Sequence, residues 1–146
     1  MSAHNSLHQH FEVGGALAGD AIGASNGVVF DTRGIEEVMV VLSVGDIATS
    51  GTLDVKVQEA SASSTGPFTD VTGASFTQVV ASGANQTYVG RILTNVDTRS
   101  RWMRLVGTVG SEALSYGACF IAGAQHDKPV TQENTLAFDI NPEIAN

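Results

Sequence analysis

Three of the four histidines, His4, His8 and His10, stand close together near the start of the chain, at spacings that would let imidazoles share a metal ion. A site also needs a third and fourth ligand held rigidly, and this stretch adds only Glu12. The stretch therefore reads as a polar arm, and no metal is expected. His126-Asp127 has the composition of half a catalytic triad, but adjacent residues on an extended chain point in opposite directions. Cys119 is the single cysteine and lies in the small, apolar run SYGACFIAGA, where a lone thiol reads as a small core residue. No acidic pair has the loop context of a glycosidase. The Asp/Asn pattern of a calcium loop is missing, as is any strand–Gly–helix unit that could cradle a phosphate. Neither an enzyme nor a cofactor is expected.

The one basic concentration is TRSRWMRLV, where Arg99, Arg101 and Arg104 flank the sole tryptophan, with Arg91 just upstream. Arginines beside an aromatic can stack on bases or grip phosphates. The chain as a whole, however, carries 15 acidic and 7 basic side chains, a formal net charge of -8. A polyanion would meet mostly repulsion, so nucleic-acid binding is not expected. The guanidinia are expected to pair with carboxylates of this chain or of a protein partner. On a strand, Arg101 and Met103 would share one face, and Trp102 and Arg104 the other.

The elements that would position these groups are short strands. The chain has 146 residues, enough for one domain with its own core. No window reaches the 18 or so consecutive apolar residues of a membrane-spanning helix. The opening MSAHNSLHQHFEV lacks a basic n-region and an apolar h-region, so synthesis in a cytoplasm is expected. Leu53 to Glu59 alternates cleanly, with Leu53, Val55 and Val57 on one side and Asp54, Lys56 and Gln58 on the other. VMVVLSV, 38–44, is an unbroken apolar run and reads as a central strand covered on both faces. Further strands are expected at 28–30, 68–71, 76–80, 87–93, 101–109 and 115–122, separated by Gly-, Ser-, Asn- and Pro-containing turns. The Gly/Ala-rich stretch 14–27 is a flexible lead-in or an edge strand. The fold expected is all-β, a single antiparallel, jelly-roll-like β-sandwich of about seven to nine short strands. It would occupy 14–124, between an N-terminal arm at 1–13 and a C-terminal arm at 125–146.

Four stretches, SNGVVFDTRGIEEVMVVLSVG, TLDVKVQEA, PFTDV and RSRWMRLVG, together resemble a family of small β-sandwich proteins encoded among the head genes of tailed bacteriophages. That family's pattern is a Val-Gln-Glu-Ser strand, an Asp-Gly turn, a short aromatic–Thr-Asp-Val return and a later Arg-aromatic-x-Arg strand. Here Ser61–Gly66 replaces the Asp-Gly turn. The likeness spans 14–124. It implies a head decoration, or cement, protein that binds the outer face of the capsid and bridges major capsid subunits. The implied partners are the major capsid protein and sister copies, as a trimer or else a dimer, on the exterior of the virion. A glycan- or receptor-binding sandwich of a phage tail or fibre is the alternative.

Within the C-terminal arm, Leu136, Phe138 and Ile140 alternate with small or polar residues until Pro142, a strand pattern with a terminator. The polar stretch 126–134, with Pro129, separates it from the sandwich. The arm is expected to pair with a neighbouring subunit, a sister copy or the capsid protein, with Leu136, Phe138 and Ile140 setting the register. Folding back onto its own sheet is the other arrangement. Arg99, Arg101 and Arg104 are candidates for the same partner interface.

Overall fold

The computed structural model describes residues 10–123; His4, His8, His126-Asp127 and the segment from Leu136 to Ile140 lie outside them. Ten strands run in chain order: β1 Glu12–Gly19, β2 Gly23–Asn26, β3 Phe30–Asp31, β4 Glu37–Val44, β5 Thr52–Ala60, β6 Thr69–Ser75, β7 Val79–Val80, β8 Thr87–Leu93, β9 Trp102–Gly110 and β10 Tyr116–Gly123. One sheet has the order β1-β10-β4-β8, here called sheet A. The other, sheet B, runs β2-β9-β5-β6, with β3 also on β9 and β7 also on β5. All pairings are antiparallel.

Strands β2 and β3 pair with successive stretches of β9, and β6 and β7 with successive stretches of β5, so each couple fills one position. The ten strands of the described residues thus occupy eight positions, in the orders 1-8-3-6 and 2-7-4-5. This is the jelly roll: a long antiparallel hairpin whose two arms pair 1 with 8, 2 with 7, 3 with 6 and 4 with 5, rolled into two sheets.

The alternation in the sequence explains which way each strand faces. On β5, Leu53, Val55 and Val57 are buried inside the sandwich while Asp54 is exposed. On β9, Met103, Leu105 and Val109 meet them from the neighbouring strand. Sheet A contributes Val38, Val40, Leu42 and Val44 from β4, and Ala118, Phe120 and Ala122 from β10. Strand β4 differs from the expectation of cover on both faces. Its second row, Met39, Val41 and Ser43, points outward, and Met39 is 37% exposed. β4 is central within its sheet, but among the described residues sheet A is packed on one side only. Cys119 sits on that same outer side, half-buried opposite Val41, and not in the core. Burial pushes its thiol pKa up, away from the thiolate form.

The Gly/Ala-rich lead-in is strand. β1 begins at Glu12, paired with Ala122, and closes one flank of the sandwich against β2 and the link to β3, where Val28 N–H donates to the Ala16 carbonyl at 2.9 Å. Among the described residues, the opposite flank, between β6 and β8, stays open. The loop 61–66 ends the β5–β6 hairpin: Ser63 Oγ donates to the Gly66 carbonyl at 3.0 Å, and Gly66 takes φ +99°, a conformation side chains resist.

Tyr116 reaches from β10 across to sheet B. A side chain on Gly107 of β9 would overlap its ring and hydroxyl. The hydroxyl is buried with no hydrogen-bond partner among the described residues. Burial raises its pKa; Ser25, opposite Gly107 on β2, pulls the other way, but its geometry falls short of a hydrogen bond. Gly107→Ala is expected to destabilise the domain by about 1–3 kcal/mol through overpacking. Tyr116→Phe in the same chain should recover part of that loss. Denaturation midpoints of the two single variants and the double check it, and strict additivity would speak against the contact.

Candidate interaction surface

The outer faces of the two sheets differ in kind. On sheet B most outward side chains are polar and bonded to one another, with Trp102 and Val106 of β9 as apolar members of the same face. Lys56 Nζ lies 2.8 Å from Asp70 Oδ2, Gln58 donates to Asp70 Oδ1 at 2.8 Å, and Gln78 donates to Asp54 at 2.8 Å. On sheet A the outward rows are apolar across four strands. Val13, Ile121 and Met39 stand side by side on β1, β10 and β4, and the next row holds Cys119, Val41 and Val89 on β10, β4 and β8. Val13 is 46% and Val89 58% exposed. The Arg91 Nε–Glu37 Oε2 pair, at 2.8 Å, supplies charge at one end of this face. Contiguous exposed apolar area of this kind marks interaction surfaces.

The arginines of TRSRWMRLV are engaged within the chain. Arg101 grips Asp31 with two bonds of 2.8 Å, Nε to Oδ1 and Nη2 to Oδ2, and its guanidinium lies 4.3 Å from the centre of the Trp102 ring. Arg104 donates twice to Gln58 Oε1, at 2.9 and 2.8 Å, and stacks 4.2 Å from the centre of Phe68. Arg99 lies 3.6 Å from Glu59, whose other oxygen accepts from Ser100 N–H at 2.9 Å. The expected face pairing fails at Arg101, which precedes the start of β9 and is exposed while Met103 is fully buried. The chain bends there, so the two-residue period does not yet apply.

Hydrogen bonding from Arg101, foremost, holds the Asp31 carboxyl below its usual range. A carboxylate whose folded pKa is depressed adds stability above its unfolded value, and that stability is lost as pH falls through the folded value. Both partners are about two-fifths exposed, so Asp31→Asn is expected to cost only about 0.2–1 kcal/mol at neutral pH. The difference from the unsubstituted chain should shrink below about pH 4. Urea denaturation of both chains at neutral and acid pH measures it.

A second feature lies on the open flank. Strand β8 is an edge of sheet A, and between it and β6 runs a cleft of about 240 Å³ lined by Val40, Val57, Ala74, Phe76, Gly90 and Ile92. Sequence reasoning missed both this cleft and the apolar face. The face left one signal, the unbroken VMVVLSV, since a strand apolar on both sides is either covered twice or offers one side to a partner. The cleft left none, because it is made by the spacing of two edges. Among the described residues, no group of three or more His, Cys, Asp and Glu side chains is placed to hold a metal, and no helix is long and apolar enough to cross a membrane.

The fold and these surfaces define a jelly-roll β-sandwich with one apolar outer face. No family model matches the chain, and no curated protein matches it. Among solved structures it is similar to the PBSX exported protein XepA, with a TM-score of 0.56 at 15% identity, over 98% of this chain and 47% of that one. The chain thus spans about half the length of XepA. PirA matches at a TM-score of 0.36 and 16% identity, over 82% of this chain and 96% of that one. The likeness to XepA is one of fold.

Proposed function

We propose that this protein is a structural component of a phage particle that binds the outer surface of the capsid and bridges major capsid subunits. The observation that carries the reading is the contrast between its two outer faces. Sheet B turns self-satisfied ion pairs and amides to solvent, while sheet A offers apolar rows from Val13 to Val89. In this reading sheet A meets the lattice and sheet B the medium, and the net charge of -8 keeps a crowded shell soluble.

Two further points support it. The stretches that resemble head decoration proteins fall on framework strands: TLDVKVQEA is β5, RSRWMRLVG runs into β9, and PFTDV enters β6. The fold is also similar to that of about half of the PBSX exported protein XepA. Many copies, each contributing a modest contact, would hold the lattice together through multivalency.

The test is binding of purified protein to particles that lack it. Met39→Glu with Val89→Glu should abolish binding without unfolding the domain, whereas Lys56→Ala on sheet B should leave binding unchanged. Binding insensitive to the sheet A variants, or specific capture of a glycan on an array with no particle binding, would replace this reading with a receptor-binding one.

A further inference from the structure

Among the described residues, four strand edges border the two sheets, and three are interrupted. β1 carries a bulge between Gly14 and Leu17, β6 shifts register where it passes between Lys56 and Gln58, and the β2/β3 edge is broken between Asn26 and Phe30. Such interruptions blunt an edge against addition of another strand. β8 has none. It pairs with β4 in unbroken register from Thr87 to Leu93, has no proline, and carries one charge, Arg91.

The free groups on that edge can be assigned. Val44 N–H donates to the Gln86 carbonyl at 3.0 Å, and Thr94 N–H to the Glu36 carbonyl at 2.8 Å. Antiparallel alternation then directs the backbone of Tyr88, Gly90 and Ile92 toward β4, and that of Thr87, Val89, Arg91 and Leu93 outward. The cleft lies alongside, on the inward side of the same strand. A strand added here would find main-chain partners at the four outward residues. Its inward side chains, every second residue, would face the apolar cleft, and Gly90 would leave room opposite the middle one.

We propose that β8 accepts, as a fifth strand of sheet A, the segment from Thr135 to Asn141 of a second copy of this chain, with Leu136, Phe138 and Ile140 turned into the cleft. The segment has three large apolar residues at the spacing the cleft requires, and Thr135, Ala137, Asp139 and Asn141 for the outer side. Eleven residues, 124–134, separate it from the end of β10 and can span up to about 40 Å. The chain's own β8 edge is two strands from β10, so an added strand would lie only about 15 Å away. The connection is more than twice what that closure needs, and so is long enough to reach the same edge on a neighbouring molecule. This deepens the self-association part of the proposed function, yet it needs no capsid.

The test uses the free, full-length protein in sedimentation velocity at micromolar concentration. The unsubstituted chain should associate. Val89→Pro removes an outward N–H without touching the β4 ladder, and Phe138→Asp spoils the donor; each alone should be monomeric. Mixed, they should form a one-to-one complex, because one retains the donor and the other the acceptor. Met39→Glu, on the outer face but off the edge, should associate normally. Amide exchange supplies a second reading that does not depend on the proline variant folding: Val89 and Arg91 should be protected in the associated chain and exposed in Phe138→Asp. A monomeric unsubstituted chain with those amides protected would mean the segment closes its own sheet. Association that survives Phe138→Asp, or is lost in Met39→Glu, would place the interface elsewhere. Any of these overturns the proposal, and a chain that binds particles as a monomer would overturn it while leaving the capsid reading intact.

Discussion

Val55→Asp should yield little or no folded protein. Val55 is 1% exposed on β5, opposite Gly107 of β9, and its carbonyl accepts from Phe76 N–H at 2.9 Å. It therefore sits where both neighbours of β5 meet the core. A carboxylate there would be surrounded by Leu53, Val57 and the sheet A valines. It must remain charged without a partner or take up a proton at neutral pH, and either route costs several kcal/mol. That is a large share of the roughly 5–15 kcal/mol that holds a domain of this size together. Circular dichroism and solubility would report the loss. A soluble variant with unchanged melting would mean that the faces of β5 are reversed.

The second large effect is expected at Phe120, fully buried on β10 of sheet A. Its ring lies 5.4 Å, centroid to centroid, from that of Phe30, which comes from sheet B. The pair fills the space between the sheets. Gly15 makes that space available: it sits in the β1 bulge at φ +66°, and any side chain on it would run into the Phe120 ring. Phe120→Ala leaves a cavity that the paired strands on either side cannot close, and about 3–5 kcal/mol should be lost. Denaturant unfolding should show a lower midpoint with the slope unchanged. A loss below about 1 kcal/mol would mean that the sheets collapse onto each other more readily than their ladders suggest.

The sandwich itself was legible where burial and period coincide. β5, β8, β9 and β10 follow from alternation or from runs of β-branched and aromatic residues, and their bounds fall within a residue or so of the expected ones. β6 was less visible. Past Val71 it continues through Gly73, Ala74 and Ser75, residues too small to carry a hydrophobic period, and only its pairing with Lys56 makes it strand. β1 and β2 were ambiguous for the same reason. The β4 run showed its apolar content but not which side was covered, because that depends on what packs against the sheet. Likewise TRSRWMRLV announced paired arginines, while the partners Asp31, Gln58 and Glu59 come from β3 and β5. Contacts made across strands far apart in sequence leave no spacing to read.

The most direct test of the capsid-binding reading is a thermal release measurement. Particles made without this protein are heated with and without purified protein added back, and the temperature at which DNA becomes accessible to a dye is recorded. Bridging of capsid subunits predicts that the added protein sediments with the particles and raises the release temperature, and that Met39→Glu with Val89→Glu does neither. Particles that release DNA at the same temperature with or without the protein, and leave it in the supernatant, would contradict the reading.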